Sequence, residues 1–452
     1  MSRADTVVVL AAGQGTRMKS ARPKVLHEIC GRPMLSWVME QAFALEPRRV
    51  LVVVGHGADE IRASLEGEGW TERGAGTPTV TLVVQEPRLG TGHALQVCLP
   101  ALGADPGRVV VLYGDMPVLA ATSLFGLCEA AEAADAAILT CVLDEPRGFG
   151  RILRSDGGIG SLLGVVEERD CTPEQRSIAE CNLGVYAFPG RELVEELPKL
   201  ENDNAQGEFY LTDVIAALVA RGLAVRAVQV EDADEALGVN TLAQLAEARW
   251  ALQLRILETH LANGVRIEDP ASAYVDWGVE IGRGTRVLPC TVIRRGVKVG
   301  EDCEVGPFTH LRVGTRLADG AEVGNFVECK QATLGGHTKA KHLSYLGDVT
   351  IGERSNIGAG TIFANYDGKA KHKSVVGDRT FVGSGTIVVA PAVIGDGSTT
   401  GAGAVVTRDV AAGETVVGVP ARTHVRRSGG GQKRSAGGGD DPAAGTDPEA
   451  GS

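Results

Sequence analysis

The first 115 residues alternate short apolar runs with stretches of helical period. The apolar runs are rich in β-branched residues, do not alternate with polar ones, and occupy residues 6–10, 50–54, 80–84 and 108–113. Apolar residues recur at helical spacing between them, in residues 33–45, 57–65 and 91–99. Because non-alternating strands are usually covered on both faces, this order predicts a mostly parallel sheet with helices on both sides. We therefore expect a Rossmann-like α/β domain.

A different period governs the second half of the chain. Residues 241–263 read as one long helix, with Gly264 placed to end it. From residue 281 an apolar residue recurs every six positions, at Ile281, Val287, Ile293, Val299, Val305, Leu311, Leu317, Val323 and Cys329. The step slips and then returns at Ile351, Ile357 and Phe363, and again at Val376, Val382, Val388, Ile394, Thr400 and Val406. Such hexapeptide repeats predict a parallel β-helix, in which three repeats form one triangular coil around a narrow core.

These patterns divide the chain into segments. We expect a first domain in residues 1–234, a linking helix in residues 235–264 and a β-helix domain in residues 265–427. Residues 364–375 interrupt the six-residue count and are basic, which predicts a loop that leaves the coil. Residues 428–452 have no apolar periodicity and are expected to form a disordered tail.

Composition narrows the classes of function. The 452 residues include 60 glycines and only 4% aromatic residues, as tight turns and small aliphatic layers require. A net charge of −12 argues against a nucleic-acid binder that works by bulk attraction to phosphates. No apolar run is long enough to span a membrane, and no segment reads as a signal peptide. The nine cysteines form no C-x-x-C pair, so we expect buried, reduced thiols in a cytoplasmic protein.

A glycine-rich segment follows the first predicted strand. Gly13 and Gly15 allow backbone N–H groups to approach a phosphate, and Arg17 and Lys24 supply positive charge nearby. The segment lacks the G-K-[ST] of a Walker loop and the third glycine of a dinucleotide fingerprint. A turn without a ligand is the alternative for a lone G-x-G, but the two cations favour a phosphate site.

An aspartate ends the fourth predicted strand. Asp115 follows residues 108–113 directly, and ligands of open α/β sheets bind at the carboxyl ends of the strands. A carboxylate there can hold Mg²⁺ against a triphosphate. An aspartate that only begins a turn before Pro117 is the alternative.

Two sets of motifs carry a resemblance to a known family. The first half contains LAAGQGTRM (10–18) with PK (23–24), LGTGHA (89–94), YGD (113–115), GFGRI (148–152) and GVN (238–240). The second half contains GNFVECK (324–330), AKHLSYLGD (340–348), NIGAGT (356–361) and NYDG (365–368). In this order they resemble the family of bifunctional N-acetylglucosamine-1-phosphate uridylyltransferase/glucosamine-1-phosphate N-acetyltransferases over about residues 6–425. The resemblance implies a left-handed β-helix, a homotrimer, Mg²⁺ as cofactor, and UTP and acetyl-CoA as cosubstrates.

The resemblance also implies a site in the first domain. Asp115 and Asn240 would hold Mg²⁺, while Arg17 and Lys24 would act on the nucleotide phosphates. Gln85, Gly90 and Thr91 would read the uracil. The remaining nucleotide- and sugar-binding residues would be Leu10, Ala11, Ala12, Gly13, Tyr113, Gly114, Gly150, Glu167 and Asn182. From the residues alone, Asn240 is equally a candidate N-cap for the long helix.

A second site is implied in the β-helix. His342 would be the base that accepts the amine proton during acetyl transfer. The aminosugar phosphate would be bound by Arg312, Lys330, Tyr345, Asn356 and Asn365, and acetyl-CoA by Ala359, Tyr366, Ser384 and Ala402. Without the resemblance, a histidine between lysines is more often a solvated surface residue.

Four features depart from the family pattern. The β-helix is about one coil short before Gly306, and Gln331 stands where the family often has a second lysine. Leu183 stands where the family has threonine, which predicts the loss of a hydroxyl near the sugar, and Gly418 replaces an arginine expected to contact the coenzyme. Two other functions remain open from the sequence. One is a nucleotidyltransferase whose β-helix only builds an oligomer, against which GNFVECK and His342 argue. The other is a non-catalytic scaffold, against which Lys24, Asp115 and Asn240 argue.

Overall fold

The computed structural model describes residues 4–13, 15–71, 74, 76–155 and 160–424. The predicted tail at residues 428–452 lies outside the described residues. Within them, the first domain is built on one sheet whose main path runs, in spatial order, through Val225–Gln229, Ala136–Val142, Glu180–Pro189, Arg108–Tyr113, Thr6–Leu10, Arg49–Val54 and Thr79–Val84. Only Glu180–Pro189 runs antiparallel on this path, and it also pairs with a side hairpin formed by Gly150–Arg154 and Leu162–Val166. The sheet is therefore mostly parallel, as predicted.

Helices cover both faces of this sheet because the strands are apolar on both. In the central strand, Val7 and Val9 pack into one core cluster, and Val8 packs into the other. The helices of the domain are Met34–Ala44, Ala58–Gly67, Thr91–Gln96, Leu99–Leu102, Ala121–Ala133, Pro173–Arg176, Gly190–Glu196 and Thr212–Ala220. Leu35 and Leu124 join the first cluster, and Val214 joins the second.

Two local predictions in this domain were wrong. The strand Thr79–Val84 is not covered on both faces, because it lies at the sheet edge, and Val84 is 53% exposed. The helix predicted over residues 91–99 is broken into Thr91–Gln96 and Leu99–Leu102. Pro100 lies in the first turn of the second helix, where its missing N–H is tolerated, whereas it would interrupt a continuous helix.

The long helix spans Leu242–Ala262 and leaves the first domain. Thr241 is its N-cap: the Thr241 hydroxyl accepts from the Gln244 N–H at 3.2 Å, and the Gln244 side chain accepts from the Thr241 N–H at 3.1 Å. Asn240 is therefore not the cap, and its side chain is available for another role. Gly264, with a φ of +86°, follows the end of the helix as predicted.

The second domain is a parallel β-helix with three faces, of ten, eight and seven strands within the described residues. The first face contains Arg266–Ile267, Arg286–Val287, Glu304–Val305, Glu322–Asn325, Lys339–His342, Asn356–Ile357, Phe381–Val382, Thr399–Thr400, Thr415–Val417 and Arg422–Thr423. The second contains Tyr274–Val275, Val292–Ile293, His310–Leu311, Glu328–Lys330, Tyr345–Gly347, Ile362–Ala364, Ile387–Val389 and Val405–Val406. The third contains Glu280–Ile281, Lys298–Val299, Arg316–Leu317, Thr333–Leu334, Val349–Ile351, Ser374–Val376 and Val393–Ile394.

The residues at steps of six fill the interior of this prism. From Val287 to Val406 they lie in one core cluster, except for the buried Thr400. The β-helix begins before Ile281, at Ile267 and Val275. Val275 lies six residues before Ile281 and is in step with the repeat, whereas Ile267 lies eight residues before Val275 and is out of step. Residues between Ala364 and Ser374 leave the coil, as predicted for the basic loop.

The two domains are joined by a polar and aromatic contact. The Arg32 side chain is only 1% exposed, and its Cζ lies 3.9 Å from the ring centroid of Trp277 in the β-helix. The backbone N–H of Trp277 donates to the Cys30 carbonyl at 2.9 Å. Arg295 adds an ion pair with Glu68 at 2.7 Å. Through Cys30 and Arg32, the segment that follows Lys24 contacts the start of the β-helix, and Glu68 adds a further contact.

The cysteines are unpaired, and most of them are buried. All nine cysteines are free, and eight of them are buried, but Cys290 is exposed at a corner of the β-helix, contrary to the expectation of buried thiols throughout. Among the helices in the described ranges, none combines the length and the hydropathy needed to cross a membrane.

Candidate active sites

The glycine-rich loop folds back over Lys24. Gly15 has a φ of +63°, and a Cβ built on it would lie 2.7 Å from the Cβ of Lys24. Only glycine therefore allows both the left-handed backbone and this close approach. A Cβ on Gly13 would instead lie 3.8 Å from the Lys24 Cε, an ordinary contact, so the loop is less crowded beside the end of the lysine side chain.

Lys24 brings together two residues that are far away in the sequence. Its side chain is 9% exposed, its Nζ forms an ion pair with Asp115, and it donates to the Asn240 Oδ1 at 3.0 Å. The Val239 N–H donates to the Asp115 carbonyl at 2.9 Å, which ties residues 238–240 to the end of the strand Arg108–Tyr113. Three of the predicted site residues thus meet at one point.

The chemistry of Asp115 and Asn240 suits a hard cation. A carboxylate oxygen and an amide oxygen converge on one positive charge, which is the Lys24 ammonium in this structure. Within the described part of the chain, no group of three or more His, Cys, Asp or Glu side chains is placed to hold a metal. Two protein oxygens fit Mg²⁺, which commonly keeps several waters and takes its other ligands from substrate phosphates.

A cavity of about 440 Å³ opens beside these residues, at the carboxyl ends of the parallel strands. Among the predicted residues, it is lined by Leu10, Ala11, Ala12, Gly13, Lys24, Gln85, Gly90, Thr91, Tyr113 and Asp115. Other predicted residues do not line it: Arg17, Gly114, Gly150, Glu167, Asn182 and Asn240. Arg17 lies on the short turn Thr16–Met18 and is exposed.

Four lining residues were missed from the sequence, the apolar Val25 and Ala94 and the charged Arg88 and Glu208. Arg88 and Glu208 border the cavity, and each stands beside a segment of the predicted uracil site. The signal that was available for Arg88 is its place immediately before the LGTGHA motif. Glu208 had no such signal, because its segment reaches the cavity only through tertiary pairing.

That tertiary pairing shapes the predicted uracil loop. The Phe209 N–H donates to the Leu89 carbonyl at 2.8 Å, and the Gly92 N–H donates to the Phe209 carbonyl at 2.7 Å. Gly90 has a φ of +104°, and a Cβ on it would lie 2.6 Å from the Phe209 carbonyl oxygen. Glycine is thus required at position 90 for the two segments to approach.

The predicted sugar residues form a second, adjoining group. The Asn182 Nδ2 donates to the Tyr186 hydroxyl at 2.8 Å, and its Oδ1 accepts from the Gly184 N–H at 2.8 Å. A Cβ on Gly184 would lie 2.6 Å from the Tyr113 Cε2, so this glycine makes room for the aromatic ring. The side chain of Leu183, which stands where the family has threonine, is 4% exposed and packs in the apolar core.

Glu167 lies in the same group and has a perturbed acidity. Burial raises the pKa of the Glu167 carboxyl, and a hydrogen bond from the Thr212 hydroxyl at 3.2 Å opposes that rise. Burial also raises the pKa of Tyr113, with the charge of Glu167 adding to the effect. Tyr113 is therefore a neutral phenol at pH 7.

Basic residues gather on the β-helix around the predicted aminosugar site. Arg312 forms an ion pair with Glu328 at 2.6 Å. Lys330 lies two residues further along that strand. A hydrogen bond with Lys330, together with the Lys330 charge, lowers the pKa of Lys371, which belongs to the basic loop. Lys371 therefore lies near Lys330 and adds a cation to this part of the surface. Lys371 was missed from the sequence, where the loop was recognised as basic but no lysine in it was singled out.

The other predicted acetyl-transfer residues fall on neighbouring coils. His342 is exposed, and its strand pairs it with Asn325. Asn365 donates to Asp348, a residue beside the predicted substrate-binding Tyr345. Asn356 begins the strand that follows Lys339–His342 on the same face and is half-buried, while Tyr366 is 60% exposed at the start of the loop.

The predicted coenzyme residues are stacked one above another. The Gly385 N–H donates to the Ala359 carbonyl at 2.7 Å, and the Gly403 N–H donates to the Ser384 carbonyl at 2.8 Å. Ala359, Ser384 and Ala402 thus occupy equivalent places on three successive coils. Gly418 has a φ of +92°, a conformation that favours glycine over the expected arginine.

The fold and the two residue groups define a nucleotidyltransferase joined to a hexapeptide-repeat transferase. Residues 7–220 match the MobA-like NTP transferase domain, and residues 373–408 match the bacterial transferase hexapeptide repeat. The chain is similar over most of its length to curated proteins named bifunctional protein GlmU. The protein of Stutzerimonas stutzeri is 43% identical over 446 residues, which cover 91% of this chain and 96% of the relative.

Two further relatives agree. The protein of Azotobacter vinelandii is 44% identical and covers 91% of this chain and 95% of its own length. That of Burkholderia thailandensis is 42% identical and covers 92% and 97%, respectively. The chain belongs to the GlmU family of bifunctional proteins. The resemblance found in the sequence, the fold class and the combination of uridylyltransferase with acetyltransferase are confirmed.

Proposed function

We propose that the chain makes UDP-N-acetylglucosamine in two steps. The β-helix domain transfers an acetyl group from acetyl-CoA to glucosamine-1-phosphate. The first domain then transfers a uridylyl group from UTP to N-acetylglucosamine-1-phosphate and releases pyrophosphate. The observation that carries the proposal is the meeting of Lys24, Asp115 and Asn240 beside a cavity at the carboxyl edge of the sheet.

Uridylyl transfer is a displacement at phosphorus. A phosphate oxygen of the sugar attacks the α-phosphorus of UTP, the bond from that phosphorus to the bridging oxygen breaks, and pyrophosphate leaves with the electron pair. Lys24 offsets the charge that builds on the transferred group, and Gly13 leaves space for the phosphates beside it. Arg17 is exposed on the short turn Thr16–Met18 and would supply a second cation to the nucleotide phosphates.

Asp115 and Asn240 would hold Mg²⁺, with Lys24 released toward the phosphates. When bound, the ion supplies positive charge that neutralises the triphosphate and orients it. Tyr113, Gly150, Glu167 and Asn182 would line the sugar, Asn182 being fixed by its two internal hydrogen bonds. Gly114, which follows the strand beside Asp115, would adjoin the nucleotide.

Acetyl transfer needs a free amine. The amine nitrogen of the sugar attacks the thioester carbonyl carbon, the carbon–sulfur bond breaks, and the coenzyme leaves as a thiolate. His342 accepts the proton from the nitrogen. Arg312, Lys330 and Lys371 bind the sugar phosphate, with Tyr345, Asn356 and Asn365 around the ring. Ala359, Tyr366, Ser384 and Ala402 contact acetyl-CoA.

We propose that the protein is a homotrimer that buries an apolar corner of the β-helix. Phe308 and Phe326 are 51% and 57% exposed, and their rings stack with centroids 5.3 Å apart. Leu343 continues the row at 62% exposure and follows His342 directly. Exposed apolar rows of this kind mark contact surfaces, and here a neighbouring copy would complete the acetyl site.

The proposed setting is the cytoplasm, since eight cysteines are buried and none is paired among the described residues.

The proposed domains are residues 1–234 and 265–427, with a linking segment between them. The start of that segment contacts the first domain, because Glu235 accepts from the Ala120 N–H at 2.8 Å. The acidic net charge gives no support to nucleic acid or membrane as a partner, and it is compatible with small anionic substrates because such a site needs only a few local cations.

A coupled assay tests the proposal. The wild-type protein is given glucosamine-1-phosphate, acetyl-CoA, UTP and Mg²⁺, and free thiol and pyrophosphate are measured separately. Both products are expected, and pyrophosphate should disappear when acetyl-CoA is omitted but return with N-acetylglucosamine-1-phosphate. Pyrophosphate without any thiol would support a single-activity nucleotidyltransferase with a structural β-helix.

A further inference from the structure

The orientation of one buried amide in the predicted uracil pocket is fixed by its neighbours. Gln85 is 4% exposed and lines the cavity. Its Nε2 lies 2.9 Å from the carbonyl oxygen of Gly90. A carbonyl oxygen can only accept, so the atom facing it must be the amide nitrogen, which donates.

The second proton of this amide goes to a histidine. The Gln85 Nε2 lies 3.3 Å from the Nδ1 of His93, on the short helix that follows the uracil loop. Because the Gln85 nitrogen is a donor, the His93 Nδ1 must be an acceptor, and its ring proton is on Nε2. The ring centroids of His93 and Phe209 lie 6.2 Å apart, and Phe209 belongs to the segment that pairs with the uracil loop.

These two bonds leave only the carbonyl oxygen of Gln85 for a ligand. Both protons of the amide nitrogen are directed to Gly90 and His93, and the Oε1 has no hydrogen-bond partner among the residues that the structure describes. We propose that His93 is a positioning residue for base specificity, which holds the Gln85 carbonyl oxygen toward the base. The inference rests on the proposed use of UTP.

The fixed acceptor distinguishes the two pyrimidines. Uracil carries an N–H donor at N3, which matches the Gln85 carbonyl oxygen, whereas cytosine presents a lone pair at N3. Two acceptors facing each other leave both unpaired, and such mismatches are rejected far more strongly than a missing methyl group. If His93 no longer accepts, only the bond to Gly90 opposes a turn of the amide, so the preference for the orientation that suits uracil falls by the worth of one hydrogen bond and cytosine is rejected less strongly.

The test is the ratio of kcat/KM for UTP to kcat/KM for CTP, measured by pyrophosphate release with N-acetylglucosamine-1-phosphate. Each ratio is taken on one preparation, so it does not depend on the folded fraction. His93→Ala removes the acceptor, and the ratio is expected to fall about three- to tenfold, the worth of one hydrogen bond. His93→Asn places an amide oxygen near the position of Nδ1 and should keep the ratio within threefold of the wild type.

The outcomes separate the claims. A ratio that falls less than threefold in His93→Ala overturns the role of His93, and so does an equal fall in His93→Asn, since the acceptor would then not be the cause. A wild-type protein that transfers no nucleotide overturns the proposed function, and the inference falls with it.

Discussion

Replacing Gly15 tests whether the glycine-rich loop exists to seat Lys24. Gly15→Ala meets two penalties: a left-handed φ of +63° and a Cβ placed 2.7 Å from the Cβ of Lys24. The first costs about 1–2 kcal/mol of folding stability. The second requires the loop and Lys24 to separate by about 0.7 Å to reach an ordinary contact of 3.4 Å.

That displacement acts on a short-range arrangement. Lys24 donates to Asn240 at 3.0 Å, and a misplacement of about 1 Å in a reacting group costs about a hundredfold in rate. We expect uridylyl transfer by Gly15→Ala to fall about ten- to a hundredfold in kcat/KM, measured by pyrophosphate release. Acetyl transfer, measured as free thiol, should stay unchanged.

A matched control separates backbone strain from displacement. Gly222 also has a positive φ, +83°, but a Cβ there would meet nothing within 4 Å. Gly222→Ala should therefore lose thermal stability without losing uridylyl transfer. If both variants retain the same uridylyl kcat/KM within twofold, the loop does not seat Lys24 and the reasoning is refuted.

Three further predictions concern other parts of the molecule. Burial raises the pKa of Glu167 in the folded state, so ionisation of this carboxyl opposes folding above its unfolded pKa. Glu167→Gln should therefore raise the thermal midpoint relative to wild type at pH 8 but not at pH 4. An equal difference in midpoint at both pH values would contradict this. Lys371→Ala should raise KM for glucosamine-1-phosphate about tenfold, the worth of a charge-assisted hydrogen bond, as measured by release of free thiol. Lys369→Ala in the same loop should leave this KM unchanged. An equal rise in KM in both variants would show that Lys371 is not part of the site. Phe326→Lys should give a monomer in light scattering that keeps uridylyl transfer and loses acetyl transfer. A trimer with full activity would show that the corner formed by Phe308, Phe326 and Leu343 is not the interface.

Periodic features of the sequence predicted the scaffold well, because they reflect local geometry. The strand Arg108–Tyr113 matches its predicted bounds because its apolar residues do not alternate with polar ones. The residues at steps of six are buried because a three-faced prism needs one inward residue per face. Ile267 did not appear in the six-residue series because the chain between Ile267 and Val275 has two extra residues.

Features that depend on tertiary pairing were harder to predict. Lys24 and Asn240 lie 216 residues apart, and only the family resemblance connected them. Asn240 and Thr241 are both good capping residues, and geometry alone decides that Thr241 caps while Asn240 faces Lys24. The family pattern drew attention to Leu183 without indicating which way its side chain faces, and strand alternation directs that side chain into the apolar core.

The most direct test of two independent sites is a reciprocal pair of variants. Asp115→Asn keeps the shape and removes the charge that Lys24 pairs with, while His342→Gln removes the proposed base on the other domain. With thiol and pyrophosphate scored separately, we predict that Asp115→Asn loses about a hundred- to a thousandfold in uridylyl transfer and keeps acetyl transfer, and that His342→Gln does the reverse. Loss of both activities in either variant, or of neither in both, would contradict the account.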